Sequence, residues 1–145
     1  ALIQSVGSDP LHDEIEKQAE KLGLVQDILL EVNVGGEEAK SGFAPETVFA
    51  AAQRAKTLEH VRLRGLMTVP PIETEPGQNL ANFEKVHGLY VDINQKLYDN
   101  MLDILSMGMS GDFADAIRAG ATMVRVGTAI FGRRAYPAAE QEGTV

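Results

Sequence analysis

The chain has 145 residues, 44% hydrophobic and 23% charged, enough apolar content to give one ordinary globular domain its core. Its 13 Lys and Arg against 21 Asp and Glu leave a formal net charge of -8, whereas a nucleic-acid binder carries a basic face. There is no Cys, which excludes a disulfide scaffold, a thiolate metal site and a cysteine nucleophile. No apolar run approaches the roughly 20 residues of a membrane span, and no basic-then-apolar leader opens the sequence. A cytoplasmic protein with no membrane or nucleic-acid partner is expected.

Ala1-Leu2-Ile3-Gln4-Ser5-Val6 reads at once as a strand, where most domains begin with a loose polar segment. The chain therefore reads as starting mid-fold, as a processed or truncated protein would. Asp9-Pro10 then opens a helix in the favoured N-cap and first-turn order. Leu11, Ile15, Gln18 and Leu22 form one face, and Gly23 ends it. Ile28 to Val34 is a second strand, with Ile28, Leu30, Val32 and Val34 on one face and Glu31 and Asn33 on the other. A Gly-rich, charged loop follows, Gly35-Gly36-Glu37-Glu38-Ala39-Lys40-Ser41-Gly42. Lys40 is read there as a solvated surface lysine, with reach into a barrel mouth as the alternative.

Pro45 opens a second helix to about Thr57, and Leu63 to Val69 is a third strand. By alternation, Arg64 and Thr68 share one face of it, opposite Leu63, Met67 and Val69. Pro70 to Gly77 is the one long connection. It leaves a strand's C-terminal end, where parallel α/β folds keep their ligands. A third helix runs from about Gln78 to Leu97, its apolar positions recurring every three or four residues. Ile104 to Met107 is a fourth strand, Asp112 to Ala119 a short helix stopped by Gly120, Met123 to Val126 a fifth strand, and a last helix starts near Thr128.

Such alternation argues for parallel βα units. Five units fit either an open doubly wound sheet or five-eighths of a (β/α)8 barrel. Three strands carry polar residues on one face only. A doubly wound sheet would strand those charges under apolar helices, whereas a barrel interior gathers them, with Glu31 offsetting Arg64 or Arg125. The TIM-barrel type is therefore favoured. Residues 1–136 are expected to form the barrel part, and 137–145 a flexible tail.

Two turns carry the chemistry. In Leu105-Ser106-Met107-Gly108-Met109-Ser110-Gly111-Asp112-Phe113 a strand ends in small residues and a helix starts at once. Ser110 and the helix start suit an anion such as phosphate or sulfate; in the alternative, Ser110 or Asp112 is only an N-cap. In Val124-Arg125-Val126-Gly127-Thr128-Ala129-Ile130-Phe131-Gly132 a strand again runs into a helix start, and barrels bind phosphate with the loops after their last two strands. Arg125 projects beside that site, or forms an interior ion pair with Glu31; the two are compatible. His12, His60 and His87 do not cluster, so no metal is expected.

Ser106-Met107-Gly108-Met109-Ser110, the helix after it and Val124 to Gly132 resemble the C-terminal signature of the pyridoxal phosphate homeostasis proteins, which are similar to the barrel domain of alanine racemase. Val32-Asn33-Val34-Gly35-Gly36-Glu37, Lys40-Ser41-Gly42 and Arg64-Gly65-Leu66-Met67-Thr68-Val69-Pro70 match in the same order. The resemblance implies an alanine-racemase-like barrel reduced to its last five strands. It implies that Ser110, Gly127 and Thr128 hold the phosphate of pyridoxal 5′-phosphate (PLP), flanked by Met109 and Gly111. Arg125 would face the pyridine nitrogen, keeping it unprotonated and weakening the electron sink. The family begins with three further strands, the first bearing the Schiff-base lysine; Lys17, Lys21, Lys40, Lys56, Lys85 and Lys96 all lie outside the strands read here. A non-catalytic PLP carrier is thus expected, lacking that lysine, its missing segment supplied by another chain or replaced by self-association. The alternatives are a racemase-like enzyme, for which Tyr90, Tyr98 and Tyr136 are poorly placed as a base, and a fragment that retains no ligand.

Overall fold

The computed structural model describes residues 1–38 and 40–135. Five parallel strands lie in sequence order, β1 (Leu2–Val6), β2 (Gln26–Val32), β3 (Val61–Thr68), β4 (Ile104–Met109) and β5 (Met123–Arg125). Between and after them come α1 (Asp9–Leu22), α2 (Val48–Ala55), α3 (Leu80–Leu97), α4 (Phe113–Arg118) and α5 (Thr128–Phe131). Crossovers between parallel neighbours are right-handed, so unbroken sequential order keeps every helix on one face and curls the sheet into a half-barrel.

The curl is visible in one contact. Gln4 on β1 accepts a hydrogen bond from the Ser106 hydroxyl on β4 at 2.8 Å. Strands three apart are about 14 Å from each other in a flat sheet, beyond that reach. The outer face packs Ile28, Leu30, Leu66 and Leu105 against Ile15, Val48, Phe83, Val86 and Ala116 of the helices. Leu29 and Met67 are also buried, yet lie outside that cluster, on the inner face. One level of the inner face runs Glu31, Met67, Ser106 and Met123 across β2 to β5.

The alternation read from β2 holds, but that of β3 inverts. The β2–β3 register shifts between Ile28–Leu63 and Leu29–Gly65. One extra residue in a period-two pattern sends all later side chains to the opposite face. Leu63 and Leu66 therefore both face the helices, and Met67 faces inward. Thr68, level with Val32, faces the helices with Leu66, and Arg64 does not enter the interior either. It bonds Asp27 and Asp103 at the strands' N-terminal ends. Gly65 makes the bulge possible, because a Cβ there would run into the Ile104 carbonyl of β4.

The ends of elements also moved. β2 stops at Val32, because Asn33 N–H donates to the Phe43 carbonyl of the returning loop. α2 starts at Val48, after a turn over residues 45–47. The flexible tail expected over 137–145 lies outside the described residues.

Candidate functional site

β4 and β5 are neighbours, so both turns leave the same end of the sheet side by side. Gly108 has φ +97 and a Cβ there would meet Ala116 at 2.6 Å; the bare glycine lets α4 sit close against β4. The chain then turns through Ser110 and Gly111. Ser110 Oγ accepts the backbone N–H groups of Gly127 at 3.3 Å and Ala129 at 3.2 Å. The two turns are thus stitched into one unit. A serine hydroxyl has one donor and two lone pairs. With both lone pairs spent, the Ser110 O–H is left to donate outward.

Gly127, Thr128 and Gly111 are exposed and Ser110 partly so, while Met109 is 46% exposed. All five expected phosphate-side positions lie in this unit. Ser110 is not the N-cap of the helix after it: that place falls to Asp112, whose side chain makes no capping bond. Ala129, which the sequence did not single out, contributes an N–H through its place in α5.

Arg125 stands just below, half-buried on the inner face. Its Nη1 donates to Ser106 Oγ at 2.8 Å and Ser106 O at 3.4 Å, and its Nη2 to Thr68 O at 2.8 Å. The interior ion pair with Glu31 does not form. Glu31 instead accepts the Ser41 hydroxyl at 3.1 Å. Burial pushes the Arg125 guanidinium down from its ordinary value, and the Glu31 and Asp112 carboxylates oppose this only from a distance. Three of its five N–H donors are taken by neutral oxygens, so at least two remain for a ligand. Ser106 and Gln4, which orient it, were not read as site residues. Their signal was there: two polar side chains in otherwise apolar strands.

Lys40 pairs with Glu37 at 3.1 Å, both side chains being partly exposed, as a surface lysine does. None of the six lysines lies in a strand. Among the described residues no cluster of His, Asp and Glu could hold a metal, and no helix is long and apolar enough to cross a membrane. Tyr90 and Tyr98 donate their hydroxyls to the carbonyls of Leu102 and Ala52, and burial pushes both up from the usual phenol value. Leu102 precedes β4, so Tyr90 sits at the far end of the strands from the two turns. Tyr136 lies outside the described residues.

Comparison with known proteins places the chain in a family. The family described as alanine racemase, N-terminal domain, matches residues 1–135. The chain belongs to this family. Among its curated relatives, the pyridoxal phosphate homeostasis protein of Aquifex aeolicus is 46% identical over 93% of the chain and 59% of the relative. The Pasteurella multocida protein of the same name is 36% identical over 92% and 58%. The chain thus spans less than two thirds of the length of these family members. PipY of Synechococcus elongatus, solved with PLP bound, superposes with a TM-score of 0.78 at 30% identity, over 90% of this chain and 60% of that one. An alanine racemase from Clostridium difficile, at 24% identity and a TM-score of 0.66, shares the barrel fold.

Proposed function

We propose that this protein binds PLP across the two stitched turns and serves intracellular PLP homeostasis as a carrier rather than as a catalyst. The observation that carries this reading is Ser110. Its hydroxyl accepts two N–H groups of the neighbouring turn, and so presents a proton where two strands end together. A phosphate there takes that proton, with Gly111, Gly127 and Thr128 bounding it and Met109 beside it. Arg125, one strand residue below the turn, meets the pyridine nitrogen with its remaining N–H donors.

When bound, PLP supplies an aldehyde that reacts with primary amines and a ring that withdraws electrons once its nitrogen is protonated. Arg125 can only donate, because guanidinium does not lose its proton in proteins. It therefore holds the ring nitrogen as an acceptor and keeps the electron sink weak. Such a site retains the cofactor without strongly activating it. A racemase needs a base at the cofactor, and Tyr90 and Tyr98 are spent on carbonyls elsewhere.

The strands described here supply the phosphate and ring-nitrogen side of the site. Open strands β1 and β5 leave unpaired backbone groups, which barrels remove by closure. We infer that further strands meet them, from the remainder of the barrel or a second copy. A monodisperse, well-folded monomer of these residues alone, seen by mass and scattering, refutes that part.

Titration with PLP is the test of the site. Ser110→Ala should weaken binding about fivefold, the loss of one hydrogen bond, and Arg125→Ala should weaken it further. Equal affinity in both variants and the parent overturns the assignment. Amino-acid racemisation above background restores the enzymatic alternative.

A further inference from the structure

The long connection after β3 and the buried side chain that follows it have no part in the site as described so far. Asn79 is 3% exposed. Its Nδ2 donates to Pro71 O at 2.8 Å and to Asp112 Oδ2 at 3.4 Å, its Oδ1 accepts Asn82 Nδ2 at 3.1 Å, and its backbone N–H donates to Glu73 Oε1 at 2.8 Å. Asn79 thereby ties the connection to Asp112, across a cleft of about 410 Å³ whose walls include Pro70, Pro71, Met109 and Gly111.

Asp112 is the odd member of this group. It occupies the N-cap position of α4, where an aspartate ordinarily accepts the helix's own first N–H groups. It does not do so. Its Oδ1 reaches backwards and accepts Met109 N–H at 2.8 Å. A carboxylate beside a phosphate site repels the ligand, so its placement needs a compensating purpose. The bond from Met109 N–H closes the turn on Met109, and the next residue, Ser110, carries the hydroxyl that meets the N–H groups of Gly127 and Ala129. The second carboxylate oxygen of Asp112 accepts Asn79 Nδ2 at 3.4 Å, so the backward rotamer is held from two sides.

We propose that Asn79 is a positioning residue for the phosphate-holding turn, acting through the Asp112 carboxylate, and that the Pro70–Gly77 connection thereby sets affinity for the phosphate end of the ligand. This rests on the reading of the site as a PLP site. It predicts an effect confined to the phosphate. The informative quantity is the ratio of affinities for PLP and for pyridoxal, which differ only by the phosphate group, measured by fluorescence titration of the purified protein.

Asn79→Ala should lower that ratio about fourfold, within the roughly fivefold loss expected from removing the Ser110 hydroxyl itself, and leave pyridoxal affinity within twofold. Asp112→Ser can cap α4 but cannot span to both Asn79 and Met109; it should lower the ratio in the same direction, less far because a repelling charge goes with it, while the melting temperature holds. In a Ser110→Ala background, where the turn has lost the group being positioned, Asn79→Ala should add less than a further twofold. Ratios in both variants that match the parent overturn the inference alone. So does equal loss of PLP and pyridoxal, which marks general loosening, or a full fourfold effect that persists without the Ser110 hydroxyl. A parent that shows no preference for PLP over pyridoxal overturns the cofactor reading, and this inference with it.

Discussion

The two ends of the strands treat charge in opposite ways. At the N-terminal end Arg64 bonds both Asp27 and Asp103, and Arg62 bonds Asp27 again. Both guanidiniums meet carboxylates there, and their charge is locally cancelled. Asn94 closes the same end by bonding both the N–H and the carbonyl of Leu102. At the C-terminal end Arg125 meets only a hydroxyl and carbonyls, and Ser110 keeps its proton for something outside the chain. At one end guanidiniums are paired with carboxylates; at the other a guanidinium keeps N–H donors free, where the proposal sets the pyridine nitrogen. This is the division expected of a barrel, with stability at the bottom and ligands at the top.

The comparison can be broken first at its structural end. Gly65→Val forces a side chain against the Ile104 carbonyl and should cost about 3 kcal/mol, read as a fall in the urea midpoint. A neutral result would mean that the close β3–β4 approach does not hold the bottom together. At the ligand end, Arg125→Ala should weaken PLP roughly 10- to 100-fold, the range for a charged hydrogen-bonding group, with an unchanged far-ultraviolet spectrum. An equal loss from Arg64→Met would erase the distinction between the two ends.

A third experiment uses pH. Asp27 and Asp103 are held below the ordinary carboxylate value of 3.8, chiefly by hydrogen bonds from Arg62 and Arg64 respectively. A lowered acid is more protonated when unfolded, so its stabilisation is complete above that value and lost as pH falls through the native one. Denaturation midpoints should therefore drop steeply below about pH 4, and Arg64→Met should shallow that limb. His12 adds a separate step. It is fully buried with both ring nitrogens unpaired, and burial, helped by Arg54, lowers its pKa from 6.5 against the pull of Asp9, Asp13 and Glu16. The unfolded chain takes up the proton first, so stability should fall as pH drops below about 6.5. His12→Leu should remove that step and add about 1 kcal/mol at neutral pH. At pH 7, where the stabilisation from Asp27 and Asp103 is complete, Arg64→Met should lower the melting temperature with PLP affinity unchanged.

Much of this was legible in the residues. The five strands and five helices stand in the order that alternation predicts. Both site turns follow from strands that end in small residues and restart as helices, which is a local pattern. The inner placement of Glu31 was legible too, because β2 alternates without interruption. What failed was β3. Arg64 was assigned to the interior and paired with Glu31, since nothing in Arg64-Gly65 announces a bulge; it arises from how closely β4 approaches Gly65. The Glu31–Arg125 pair failed for a related reason. Which of several inward polar groups meet depends on the sheet's curvature, and that brings Ser106 and the Thr68 carbonyl to Arg125 first.

The sequence by itself determined the parallel βα order, the outward apolar face of β2 and the two turns after β4 and β5, because these follow from periodicity and from residues adjacent in the chain. Tertiary structure alone decided that Ser110 bonds the turn after β5, that Gln4 reaches Ser106 across the inner face, and that Asn79 meets Asp112. Each joins groups 17 to 102 residues apart, and only strand pairing and the curl of the sheet bring such distant groups within the length of a hydrogen bond.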